Sequence, residues 1–163
     1  MDQNGTHTVQ IGGNEFVIRR INAFDAWLLF GDLQKELLPA ISGLLIAVID
    51  APKDGASEGE KKADEGKMMA DAIRELSARL DGAQLKKWTE KLITPDYVGV
   101  SMNGGEPQKL TPQIQALVFE DFTVIPHLLF EILKFNFAKP LAGFLNRIGL
   151  DTSKINTATL QKL

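Results

Sequence analysis

Residues 118–145 read VFEDFTVIPHLLFEILKFNFAKPLAGFL, the most apolar and most aromatic run of the chain. Five of the nine phenylalanines lie between Phe119 and Phe137. Wound at about 100° per residue, the polar positions Glu120, Thr123, His127, Glu131 and Lys134 fall in one narrow stripe, and nearly everything else is apolar. A helix that is apolar around most of its circumference needs cover on several sides. Either the rest of the chain supplies that cover or another protein does. Pro126 fits only in a first helical turn, so a break near Phe122 is expected.

One residue in this run breaks its own pattern. Asn136 projects onto the apolar side, between the angles of Ile125 and Leu129, and is flanked by Phe135 and Phe137. A buried amide without partners costs about 1–3 kcal/mol, so hydrogen bonds are expected for it. Two accounts fit. The helix ends here and Asn136 satisfies its last carbonyls or turns the chain toward Lys139 and Pro140, or Asn136 orients a partner interface. Phe135, Phe137, Leu141 and Phe144 likewise serve as core or as contact surface.

Upstream, Thr6–Ile11 and Glu15–Ile21 are short segments rich in Val, Ile, Thr and Phe, separated by Gly12, Gly13 and Asn14. Glycines suit the positive φ angles of a tight primed turn, so a β-hairpin is predicted. Two strands alone are marginal in water, so the hairpin must pack on helices or pair with a further strand, one from a second subunit included. Asn22 is an N-cap with Asp25 in the first turn. The helix it opens places Phe30, Leu33, Leu37, Ile41, Leu44, Leu45 and Val48 in one stripe and Asp25, Asp32 and Glu36 opposite, with a kink at Pro39.

Between Pro52 and Lys67 nine of sixteen residues are charged, three are glycine, and alanine is the only apolar type. Such a stretch buries too little surface to offset the entropy of ordering, so a flexible charged linker is expected at 52–67. Helical periodicity returns with Met69, Ile73, Leu76 and Leu80. Asp81 and Gln84 form a capping box opening a helix with Leu85, Trp88 and Leu92 inward. Tyr97–Met102 reads as a strand ended by Asn103, Gly104 and Gly105; Pro107 makes the return segment Glu106–Leu110 an edge at best. Thr111 followed by Pro112 starts another helix. Residues 149–163 are small, polar and weakly periodic, and read as a loosely ordered tail.

The expectation is an α+β, mainly α-helical single domain over residues 1–163. It has an N-terminal β-hairpin, about five to six amphipathic helices and a second short hairpin. With 18 basic and 21 acidic residues the net charge is −3, and Lys and Arg are scattered, so neither nucleic acid nor a membrane surface is expected as partner. No cysteine is present, which excludes disulfides, thiolate metal sites and cysteine nucleophiles. With only His7 and His127, no metal or other cofactor is expected. Leu37–Ile49, broken by Pro39 and Gly43, falls short of the roughly 20 residues of a bilayer span, and MDQNGTHTVQ lacks the basic and apolar regions of a signal peptide. A cytoplasmic location is expected. His127, Glu131 and Lys134, one turn apart, are the nearest approach to acid-base chemistry, and on a helix such a trio reads as a solvated stripe. No catalytic residue is assigned.

Taken together, the hairpin, the helix AFDAWLLFGDLQKELLPAISGLL, the charged insertion and the late pattern F-x-x-F-x-x-x-P-H-L-L-F-E-I-L-K-F-N-F-A-K-P-L resemble the tail assembly chaperones of long-tailed bacteriophages. In that family a late aromatic helix ends with an Asn-Phe pair, matched by Asn136 and Phe137. The resemblance implies a non-enzymatic protein that binds the helical tape measure protein, keeps its apolar surface from self-associating and helps recruit tail tube subunits. It also implies an oligomer in the host cytoplasm that is missing from the mature virion. Phe130, Phe135, Asn136, Phe137 and Phe144 are the partner-facing candidates. Two rivals stand beside it: a structural tail-completion or adaptor protein of the virion, and a small ligand-binding domain using His127 and Glu131.

Overall fold

In the computed structural model, residues 5–36, 66–67, 70–71, 74 and 78–140 are described. The N-terminal hairpin forms from β1 (Thr6–Ile11) and β2 (Asn14–Arg19), joined by Gly12 and Gly13 at φ 58° and 82°. Two consecutive positive φ angles give the primed turn whose twist matches the strands. Gly12 has a second reason to be glycine, because a Cβ there would stand 2.8 Å from Val124 Cγ2. The turn is thereby seated against the start of the Phe-rich helix.

Asn22 caps α1 (Ala23–Glu36) through a reciprocal pair: Asp25 N–H donates to Asn22 Oδ1 at 2.9 Å, and Asn22 Nδ2 donates to Asp25 Oδ2 at 2.5 Å. Asp81 and Gln84 complete the expected capping box at the head of α2 (Gly82–Leu92), with Trp88 and Leu92 buried. Strand β3 (Val98–Ser101) then pairs antiparallel with β2, and β4 (Gln108–Lys109) pairs with β3. Helix α3 (Pro112–Val118) begins on its proline, although Thr111 makes no side-chain cap bond. A non-helical stretch at 119–123 leads to α4 (Val124–Leu133), with Pro126 in its first turn. Lys134–Ala138 continue as a π-helical turn.

The expected set of five to six helices with two separate hairpins is corrected here. Among the described residues four helices have defined bounds, and the two hairpins merge into one antiparallel sheet in the order β1-β2-β3-β4. The merger has a physical cause: the backbone groups of Glu15, Val17 and Arg19 point away from β1 and need partners, and the fully buried strand β3 supplies them. Some described positions between 66 and 79 are also helical. The kink at Pro39, the linker over most of 52–67, Met69, Ile73, Leu76, Leu141, Phe144 and the tail lie outside the described residues.

A single cluster joins the inner sheet face (Ile11, Phe16, Ile18, Val98, Val100) to Leu33, Trp88, Leu92, Leu128, Ile132 and Leu133. Phe119 adds its ring to that of Phe16, stacked at 6.3 Å. Most of the apolar circumference of α4 is therefore consumed inside the chain: Phe130 is 3% exposed and Phe137 4%.

Candidate partner-binding surface

The carboxylates of helix α1, half-buried beside the sealed Leu33, reach across to α2 and the start of β3. Glu36 takes a 2.6 Å bond from Lys87 and a 3.0 Å bond from Trp88 Nε1; Asp32 takes a 2.5 Å bond from Lys91. Tyr97 O–H donates to Asp25 at 3.3 Å. Hydrogen bonding and charge from Lys91 hold the Asp32 pKa below its ordinary value, and the Lys87 bond does the same for Glu36. Burial, followed by the Asp25 charge, pushes the Tyr97 phenol up. Spacing alone sets these acids opposite the apolar stripe, which reads as a solvent face. They are instead the clamp between α1 and α2, because Lys87 and Lys91 stand one turn apart and meet them.

With the acids occupied, the outer face of α1 is apolar. Phe24 is 71% exposed, Trp27 70% and Leu28 58%. These sit at i, i+3 and i+4, so they form one contiguous strip. Trp27 stacks on Phe30 at 6.3 Å, which fixes its ring as a wall. Behind that wall lies a cleft of about 360 Å³ lined by Ala23, Ala26, Trp27, Phe30, Gln34, Asn136, Phe137 and Pro140. The small Ala23 and Ala26 open the space that a larger side chain would fill. An apolar strip beside an apolar cleft is the arrangement that receives the ridge of an amphipathic helix.

Asn136 fixes the floor of this cleft. Its Oδ1 accepts the Ile21 N–H at 2.9 Å and its Nδ2 donates to the Ile132 carbonyl at 3.1 Å, while the residue is only 5% exposed. The second bond satisfies the Ile132 carbonyl, but the helix does not end at Asn136 as one expected account had it: the π turn carries on to Ala138. The first ties the π turn to the backbone just before α1, and so sets the distance between the cleft's two walls.

The aromatic candidates are spread over several settings. Phe130 is sealed in the core, Phe137 is buried with an edge on the cleft, and Phe135 is half-buried. The Phe135 ring stacks on His7 at 5.4 Å and carries the Arg20 guanidinium 4.5 Å from its centroid. Phe144 is outside the described residues. Leu117 and Phe122 stand out in solvent as well, but the contiguous exposed strip of Phe24, Trp27 and Leu28 was missed by sequence reading, although Phe24-x-x-Trp27-Leu28 is a helical i, i+3, i+4 pattern that could have flagged it.

The polar trio is also changed from its expected form. Glu131 is buried, not solvated, and accepts from Lys134 at 2.9 Å while its other oxygen stands 3.3 Å from His7 Nε2 on β1. Burial works to raise its pKa, but the His7 hydrogen bond and the Lys134 charge outweigh that and hold it low. Burial depresses the His127 pKa. This is an internal polar clamp between sheet and helix. Among the described residues no group of His, Asp or Glu has the geometry of a metal site, and no helix is long and apolar enough to cross a membrane.

Fold and surface together define a small α+β protein with an exposed apolar helix face beside an apolar cleft. A model of the phage tail assembly chaperone family, TAC, matches residues 12–149, from the hairpin turn to beyond the Phe-rich segment. The chain belongs to that family, and with it to the chaperones of phage tail assembly. No curated protein and no solved structure gives a significant match.

Proposed function

We propose that this chaperone binds the helical tape measure protein through the α1 strip and the adjoining cleft, shields its apolar surface and helps bring in tail tube subunits. The observation that carries the reading is the exposure of Phe24, Trp27 and Leu28 beside an apolar cleft, on a helix whose acidic side chains Asp32 and Glu36 are already paired within the chain. Burying three such side chains against a partner is worth several kcal/mol, at about 1.5–3 kcal/mol each. A tape measure helix supplies apolar side chains at i, i+3, i+4 and i+7, the spacing that a strip and cleft accept.

In this reading the aromatic segment shapes the receiving surface from behind. Phe137 and Asn136 form the cleft floor, Phe130 holds α4 in place beneath it, and Phe135 offers a half-buried ring on the β1 side, with Phe144 as a further contact. Binding and release occur in the host cytoplasm, and the chaperone leaves before the tail is finished.

The test is co-expression with the tape measure protein. The wild-type chain keeps it soluble and co-purifies with it, whereas the double variant Phe24→Ser, Trp27→Ser folds normally and loses both effects. A tape measure that stays insoluble beside the wild type, or is rescued equally by the variant, overturns the proposal.

A further inference from the structure

The four-stranded sheet ends on two unlike edges. On one, β4 is two residues long, follows Pro107 and carries Lys109, the devices that close an edge to further strands. On the other, β1 runs for six residues with no proline, no Lys, Arg, Asp or Glu, and no bulge; its register with β2 is unbroken from Thr6↔Arg19 to Ile11↔Asn14. The Arg20 N–H bond to the Gly5 carbonyl sets the phase of the ladder. Gly5, His7, Val9 and Ile11 turn their backbone groups to β2, so Thr6, Thr8 and Gln10 turn theirs outward. Among the described residues no hydrogen bond reaches those outward groups, and the Thr8 and Gln10 side chains are exposed.

We propose that this edge is a dimerisation surface, on which β1 of a second copy pairs antiparallel across a two-fold axis at Thr8 to make one continuous eight-stranded sheet. The strand is self-complementary about that residue. Thr8 faces Thr8 of the partner subunit, and Thr6 faces the partner's Gln10, so each pair exchanges two backbone bonds. Polar Thr6 and Gln10 flank the axis on the outer face; His7 and Val9 flank it on the inner face. The outer-face pairs set no charge against a like charge, and Thr–Thr neighbours across strands are favourable. A two-fold pairing of this kind closes on itself and leaves only the short β4 edges at the ends of the enlarged sheet. A strand from an unrelated protein would not need this symmetry.

The experiment is light scattering on the full chain across a dilution series. The wild type is expected at twice the 17.9 kDa chain mass, dissociating on dilution. Thr8→Glu and Thr8→Lys each place like charges at the axis and weaken dimerisation about tenfold or more. An equal mixture of the two restores the dimer. Thr8→Pro removes the outward N–H without touching a β1–β2 bond and also gives monomer; if it fails to fold, the charge pair decides alone. A wild type that is monomeric throughout, or Thr8→Glu and Thr8→Lys chains that each assemble like the wild type, overturns the proposal. The α1 double variant leaves the dimer intact, so failure here and failure of the tape measure reading are separate results.

Discussion

Helices α1 and α4 both carry aromatic side chains and meet opposite fates. In α4 the apolar residues surround the axis, and the sheet, α2 and α1 close over them, so that Phe130 is 3% exposed. In α1 Leu33 is sealed in the core and the acidic residues at its flank bond to Lys87, Trp88 and Lys91, while Trp27 is left 70% exposed. The richest apolar stretch is therefore the core, and the exposed apolar strip belongs to the helix whose acidic groups are paired internally. Apolar content says how much must be covered; the placement of charge says which side is left bare.

The sharpest way to test this contrast is to truncate both sides. Phe130→Ala leaves a cavity in a sealed core and is expected to lose about 3–5 kcal/mol, measured by denaturant unfolding. Asn136→Ala strands the buried Ile21 N–H and should lose about 1–3 kcal/mol; because it also frees one wall of the cleft, hydrogen exchange at the start of α1 should rise. A smaller effect is expected from pH. His127, held by burial below its ordinary 6.5, stabilises the fold in its neutral form. That contribution is present above about pH 6.5 and is lost as pH falls through the depressed folded value. Glu131, held below its ordinary 4.5, loses its own contribution lower still. Melting temperature should thus decline in two stages on acidification, and His127→Gln should flatten the upper one. Smallest of all, Trp27→Ser should shift stability by no more than about 0.5 kcal/mol, since its ring covers little. A large loss there would show that α1 is core and would break the comparison.

Local signals in the sequence located most elements. The Gly12-Gly13 turn, the Asp81 and Gln84 capping box, the Thr111-Pro112 start, the break before Pro126 and the weak edge after Pro107 each depend on chemistry within four residues, and each stands in the structure. What was illegible depended on distance. The union of the hairpins rests on Phe16↔Val100 and Val17↔Gly99, more than eighty residues apart, and among the described residues four bounded helices stand where five to six were expected. The inward turn of Asp32 and Glu36 rests on lysines more than fifty residues on. The burial of Glu131 rests on His7, 124 residues away, so a stripe that is polar in one dimension became an internal clamp in three. Family membership was legible because the order of elements and the Asn136-Phe137 pair survive without knowledge of those contacts.

The π turn at Lys134–Ala138 accommodates about one residue more than an α turn would, so Lys139 and Pro140 are rotated by roughly 100° from the phase of α4. A helical wheel drawn straight through the segment superimposes two different faces. Pro140 consequently looks into the gap beside Trp27, where an unbroken helix would have sent it elsewhere. Shortening this segment by one residue would swing Pro140 around the helix axis and remodel the cleft without altering a single side chain of α1.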